Sequence, residues 1–309
     1  MTQQQPSPPR GVYAAVLTPF GDDLAPNTKA FLAHCRWLLA NGCDGLAPLG
    51  TTGEANSLSL AQRLALVEAS AAAGLPMERC IIGTGSCALA DAVTLTKAVL
   101  AAGASGALLL PPFYYKNPSE DGLFAFFAEV IERVGDARLK LYLYHFPQMS
   151  AVPVTPSLIL RLKSAYGDTI AGVKDSSGDW SYTANLLKEI PGFGVYSGSE
   201  QFLLANLRAG GAGCISASTN VTAALAQAVF RAWQLPNADA LQEALTAARL
   251  ALQAFPFQGG LKELVARLTG DRQWLNVLPP NRPLSPAQRE QLFAKLRDVP
   301  GLQPLLKAA

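Results

Sequence analysis

Short apolar runs alternate with longer amphipathic stretches along most of the chain. The first run, Gly11–Phe20, precedes a helical pattern over Asn27–Ala40. Gly45–Gly50 precedes Ser59–Ala73, Cys80–Gly85 precedes Ala88–Ala102, and Gly106–Pro112 precedes Ser119–Val134. Lys140–Pro147 leads into Thr155–Ala165, Ile170–Ser176 into Trp180–Glu189, Phe193–Ser199 into Gln201–Ala209, and Gly213–Val221 into Thr222–Trp233. The runs are apolar on consecutive residues, as in GALLLPP at 106–112 and KLYLYHF at 140–146. Such runs fit strands buried on both faces of a parallel sheet. Strand-then-helix units in this number predict a closed (β/α)₈ TIM barrel rather than an open doubly wound sheet.

Beyond about Gln234 the apolar runs stop. Helical patterns over Ala238–Ala254, Gly260–Leu268 and Ser285–Arg297 predict a C-terminal helical extension. The expected organisation is a disordered tail over 1–10, the barrel over 11–233, and a helical region over 234–309 packed on the barrel as a cap.

Composition narrows the function classes. A formal net charge of +2 offers no electrostatic basis for binding nucleic acid or an anionic membrane surface. No apolar run approaches the roughly 18 residues of a membrane span. The polar, Pro-rich start reads as a frayed tail rather than a signal peptide. The five cysteines are dispersed without CxxC spacing, which predicts reduced thiols and a cytoplasmic protein. Only two histidines argue against a multi-His metal site. His34 falls in the first helical pattern and reads as a structural or surface residue. Gly83-Thr84-Gly85 lacks the third glycine of a dinucleotide fingerprint, and there is no Walker-type loop. The expectation is a small-molecule protein with no cofactor and no metal.

On a barrel of this kind, chemistry sits at the C-terminal ends of the strands. The second run ends in Gly50-Thr51-Thr52-Gly53-Glu54, where hydroxyls and close backbone approach suit a carboxylate, or simply a Gly-rich turn. Tyr114, Tyr115, Tyr142 and Tyr144 end the fourth and fifth runs, as proton carriers or as rim packing. Lys174 interrupts the apolar Ile170-Ala171-Gly172-Val173. A lysine in a core strand is costly without a purpose. Removing an amine from water disfavours its ammonium form and leaves a nucleophile. The bland alternative is a lysine snorkelling from the strand end.

In order along the chain stand GTTGE at 50–54, PFYY at 112–115, YHFP at 144–147, GVKDSSGD at 172–179 and ISASTN at 215–220. Over roughly Gly11–Pro283 this pattern resembles the dihydrodipicolinate synthase / N-acetylneuraminate lyase family of class I aldolases. The resemblance implies that Lys174 forms a Schiff base with a 2-oxo acid such as pyruvate, and that Tyr144 relays protons. It implies that Thr51 and Thr52 bind the carboxylate. Tyr115, in preference to Tyr114, would reach toward a neighbouring subunit's site in a homotetramer built as a dimer of dimers. Gly198, Ser199 and Glu200 would bind the polar part of a longer substrate, and the Ile215 carbonyl would line the pyruvyl pocket.

Two positions depart from the dihydrodipicolinate synthase pattern. Met149 stands where those enzymes carry an arginine for a second carboxylate, and methionine cannot make a bidentate contact. His145 stands in place of the more usual asparagine. The combination resembles the branch acting on 2-keto-3-deoxy sugar acids. Alternatives are a 4-hydroxy-tetrahydrodipicolinate synthase and a 2-keto-3-deoxy acid dehydratase using the same imine. A binding protein on the same barrel would be expected to lose Lys174 or Tyr144, and both are present.

Overall fold

The computed structural model describes residues 9–303. Within them, eight parallel strands alternate with helices. The order is β1 (Gly11–Ala14), α1 (Thr28–Ala40), β2 (Gly45–Leu46), α2 (Leu60–Ala72), β3 (Ile81–Gly83), α3 (Leu89–Ala101), β4 (Gly106–Leu109) and α4 (Glu120–Val134). The second half runs β5 (Leu141–His145), the single turn α5 (Pro147–Ser150), α6 (Pro156–Tyr166), β6 (Ile170–Asp175), α7 (Trp180–Glu189), β7 (Gly194–Ser197), α8 (Leu203–Arg208), β8 (Gly213–Ser216) and α9 (Thr219–Ala232). The strands pair in the order β2-β1-β8-β7-β6-β5-β4-β3. A parallel bridge from Leu46 to Cys80 brings β2 to β3 and closes the ring. The fold is the (β/α)₈ TIM barrel, followed by α10 (Ala238–Gln253), α11 (Phe257–Thr269) and α12 (Pro286–Leu296).

Local chemistry sets the helix starts. Asn27, Ser59, Ser119, Thr155 and Ser285 each accept a backbone N–H of the first turn with their side chains. Ser59 and Ser285 complete capping boxes with Gln62 and Gln288. One run is shorter than its hydrophobicity suggests. Only Gly45 and Leu46 of the Gly45–Gly50 run form the strand, with Ala47 still hydrogen-bonded to Ala14 and Val16. Pro48 has no N–H to give, and Leu49 takes a left-handed conformation at φ 60.

Strand alternation separates two packing layers. Leu141, Leu143 and Val173 face outward into the layer under the helices. Tyr13, Tyr142, Tyr144 and Tyr196 face the barrel interior. The rings of Tyr13 and Tyr142 meet Tyr196 edge-on, with centroids 5.7 and 5.8 Å apart. Glycine makes this possible, since a Cβ on Gly45 would lie 2.1 Å from the Tyr13 ring and one on Gly106 would lie 2.4 Å from the Tyr142 ring. The Tyr196 hydroxyl donates to the Pro9 carbonyl, and Arg10 donates to the Gly211 carbonyl at 3.1 Å. Those two residues of the expected loose tail are therefore anchored to the barrel; residues 1–8 lie outside the described residues.

The extension does not stand apart. Leu261, Leu264, Leu252 and Leu292 pack with Leu17, Ala217 and Val221 at the β1 and β8 ends. Among the described residues no helix is long and apolar enough to cross a membrane, and no group of three His, Cys, Asp or Glu side chains is placed to hold a metal.

Asn220 ties this region together. Its Nδ2 donates to Ala15 and Ala217 carbonyls, and its Oδ1 accepts from Leu17 N–H at 3.1 Å. The same oxygen accepts from Nε2 of His34 at 2.9 Å, which fixes the proton on that nitrogen. His34 is buried against Trp37 and Trp274, so it is structural rather than a surface residue. Burial lowers its pKa from 6.5 to about 4, opposed in part by the Asn220 bond. The folded state therefore resists taking up a proton that the unfolded chain binds below pH 6.5. This contribution is present above pH 6.5 and is lost as pH falls toward 4, about 3 kcal/mol in all. His34→Gln should flatten that part of the stability profile, read by denaturant melts at pH 7 and 4.5. An unchanged loss in the variant would assign it elsewhere.

Candidate active site

The ends of β5 and β6 place the central pair. Tyr144 lies opposite Lys174 in the β5–β6 register, and Lys174 lies opposite Tyr196 in β6–β7. Lys174 is 4% exposed, and its Nζ sits 4.2 Å from the centroid of the Tyr144 ring. Among the described residues that amine has no hydrogen-bond acceptor or carboxylate partner. The Tyr144 hydroxyl lies 3.4 Å from Thr51 Oγ1, and its ring stacks on Phe146. A nucleophile, a phenol and a hydroxyl loop thus converge where three strand ends meet.

They open on a cleft of about 590 Å³, whose lining includes Thr51, Thr52, Tyr144, Lys174, Gly198 and Ser199. Gly198 is required by close approach, since a Cβ there would lie 2.1 Å from the Ser176 side chain. Its N–H donates to the Asp175 carbonyl at 2.6 Å, closing the β7 loop onto the β6 loop. Asp175 is held in turn by Ser177 N–H and the Thr183 hydroxyl at 2.8 and 2.6 Å.

The loop carrying Thr51 and Thr52 is fixed from below. Glu54 adopts a left-handed conformation at φ 56 and turns its carboxylate inward. Lys262 of α11 donates to it at 2.6 Å, and both side chains are fully buried. Leu278 N–H and Asn281 also donate to Glu54, at 2.7 and 3.3 Å. Lys262 caps the Asn276 carbonyl and lies over the Phe20 ring. Burial lowers the Lys262 pKa to about 8, while Glu54 opposes the shift.

Other expected site residues lie elsewhere. Glu200 does not line the cleft. It is 0% exposed, and its carboxylate accepts from Ser216, Ser218 and Thr222 hydroxyls and from Arg249. A buried carboxylate must be satisfied this way, so it is unavailable to substrate. The expectation for Ile215 concerns its backbone carbonyl; its side chain is turned away from the cleft. It pairs with Tyr13 and packs in the barrel interior, while Ala217 lines the cleft. Tyr114 and Tyr115 project into solvent, 73% and 78% exposed, and do not reach this chain's cleft. His145 faces away from the cleft. Its Nδ1 accepts from Val154 N–H, its ring stacks on Tyr182 at 4.1 Å, and burial lowers its pKa. Met149 is on the wall and exposed.

The extension is more than a cap. Arg249, Gln253, Phe257, Gln258 and Asn281 all line the cleft. Nothing in their local sequence marks them, since helical spacing alone does not say which face meets a site.

The arrangement matches known proteins along most of its length. The pattern of the dihydrodipicolinate synthetase family covers residues 8–299. The chain belongs to this family. Like other members of the dihydrodipicolinate synthetase family, it is a lyase of the class I aldolase type. It is 36% identical over 292 residues to a protein of Chloroflexus aurantiacus described as an uncharacterized DapA-like lyase, covering 93% of this chain and 94% of that one. The crystal structure of dihydrodipicolinate synthase from Agrobacterium tumefaciens superposes with a TM-score of 0.86 at 35% identity, covering 94% and 99% of the two chains. YagE, a prophage protein of the same family from E. coli solved in complex with pyruvate, gives 0.86 at 27% identity, covering 97% and 99%.

Within this family member, the Glu54–Lys262 pair is expected to be sensitive to loss of one partner. Lys262→Met leaves a buried carboxylate uncompensated and should cost about 3–5 kcal/mol. The double variant Lys262→Met/Glu54→Gln should recover a large part of that loss in thermal melts. A single variant as stable as wild type would show that the pair is not what holds the loop.

Proposed function

We propose that the enzyme cleaves, or in reverse forms, the C3–C4 bond of a hydroxylated 2-oxo acid of the 2-keto-3-deoxy sugar acid class, giving pyruvate and an aldehyde. The observation that carries this reading is the unpaired amine of Lys174 against Tyr144, in a cleft with Met149 on its wall. The chemistry follows from those groups. The amine adds to the C2 carbonyl, water leaves, and a protonated imine forms as an electron sink. Thr51 and Thr52 hold the C1 carboxylate and orient the ketone. Tyr144 takes the proton of the C4 hydroxyl as the C3–C4 bond breaks. The bonding electrons enter the imine and give an enamine, while the aldehyde departs. Protonation at C3 and hydrolysis then return pyruvate and the free lysine.

Gln148, Ser176, Ser177, Gln201, Gln258 and Asn281 add amides and hydroxyls to the cleft, which suits a polyhydroxylated chain. Loss of a C4 hydroxyl as water from the same imine would make a dehydratase of the same residues. Condensation with aspartate semialdehyde is disfavoured by Met149, which offers no hydrogen bond to a second carboxylate at that position.

Borohydride reduction with pyruvate should trap a covalent adduct on Lys174, located by peptide mass, and Lys174→Ala should abolish it. Tyr144→Phe should slow turnover by about 10²–10⁴-fold. A screen of 2-keto-3-deoxy sugar acids should find pyruvate release faster than any condensation of pyruvate with aspartate semialdehyde. Trapping that persists in Lys174→Ala defeats the imine reading, and rapid condensation defeats the substrate reading.

The same reading makes the enzyme a homotetramer in which Tyr115 completes a neighbouring site. Two adjacent exposed tyrosine rings, edge-on at 5.3 Å, support it. Sedimentation should give four chains per particle, and Tyr115→Ala should lower turnover. A fully active monomer would exclude this role.

A further inference from the structure

The imine chemistry leaves one cation on the cleft wall unused. Arg249 reaches the cleft from α10 with its side chain 13% exposed. Its Nε donates to Gln253 at 3.2 Å. Its Nη1 donates to Glu200 at 3.2 Å, Ser216 at 3.0 Å and Ser218 at 3.2 Å. The guanidinium lies over the Phe257 ring, 4.6 Å from its centroid. The group is therefore held on three sides before any ligand arrives. Its Nη2 has no acceptor among the described residues.

Pairing with Glu200 accounts for only one nitrogen of this guanidinium. Three hydroxyls already satisfy that carboxylate, and only one nitrogen of Arg249 touches it. An arginine needed only as a counter-ion would be expected to face it with both prongs of the fork. Here one prong is anchored and the other has no acceptor among the described residues, on a side chain that lines the cleft. Among the described residues lining the cleft, Lys174 and Arg249 are the basic ones and Asp175 is the sole acid. Asp175 is already occupied by Ser177 and Thr183.

We infer that Arg249 binds a second carboxylate at the far end of the substrate, so that the enzyme acts on hydroxylated 2-oxo diacids rather than monoacids. A planar fork held by its neighbours loses little entropy on binding such a group. The inference rests on the Lys174 reading only for which end of the substrate is the 2-oxo acid. Recognition of the second acid then comes from the helical extension and not from the β5 loop, where Met149 stands.

Two probes of equal length that lack the C4 hydroxyl, and so can form the imine but cannot be cleaved, test it: 2-oxoadipate, with a terminal carboxylate, and 2-oxohexanoate, without one. Calorimetry on the full chain should show wild type binding the diacid at least about tenfold more tightly. Arg249→Lys keeps a charge beside Glu200 and should lose most of that preference. The double variant Arg249→Met/Glu200→Gln removes both members of the pair without stranding a charge, and its ratio should fall to near one. A wild-type ratio near one overturns the inference whatever the variants do, as does a preference that survives in the double variant. Pyruvate trapping on Lys174 is read separately. Trapping without a diacid preference defeats Arg249 alone, and an Arg249-dependent preference without trapping defeats the imine alone.

Discussion

Among the described residues, two carboxylates that follow barrel strands have fully buried side chains and a cationic partner. Glu54, after β2, meets Lys262 of α11, and Glu200, after β7, meets Arg249 of α10. Placing a charge out of water is costly, and a pair returns that cost only when its geometry and remaining hydrogen bonds are complete. Both carboxylates here are completed, Glu54 by Leu278 N–H and Asn281, Glu200 by three hydroxyls. Such pairs add little net stability over an apolar packing, but they penalise any other docking of the helices. They act as registration points that hold the extension against the cleft mouth.

That registration explains why the cleft has two kinds of wall. Lys174 and Tyr144 stand on adjacent strands whose register the backbone ladder sets. Below them the barrel is filled by the Tyr13, Tyr142 and Tyr196 rings. The inner end is therefore rigid by packing. The outer end is built from helix side chains and loops, positioned by the two ion pairs rather than by a ladder. Thr51 and Thr52 bridge the two ends, since their loop is tied to α11 through Glu54 and to Tyr144 through the Thr51 hydroxyl.

The same division marks how much was legible in the sequence. The β/α alternation could be read because strands buried on both faces leave continuous apolar runs, and helices leave a periodic one. Lys174 could be read because it breaks such a run. The direction of Glu200 could not. A carboxylate following a strand looks the same whether it faces substrate or a half-buried arginine 49 residues away. Arg249 was invisible for the reciprocal reason, because on α10 it follows the same amphipathic spacing as its solvent-facing neighbours. The short extent of β2 was open to reading, since Pro48 stands inside the run, yet hydrophobicity outweighed it.

Chemistry and recognition thus rest on different parts of the chain, and this has a structural consequence. Tyr144 and Lys174 stand on β5 and β6, whose ladder pairings are with each other and with β4 and β7. Glu200, Ser216 and Ser218 belong to β7, β8 and the turns after them, so the network around Arg249 is anchored to strands that do not carry the reacting groups. A change at the outer wall alters what is held at the far end of the substrate while leaving Tyr144 over the Lys174 amine. Under the Arg249 proposal, a guanidinium supplied from α10, with Met149 standing after β5, would be a change of that kind. Such an anion would be met from α10, and the nucleophile and its phenol would not need to move to accommodate it.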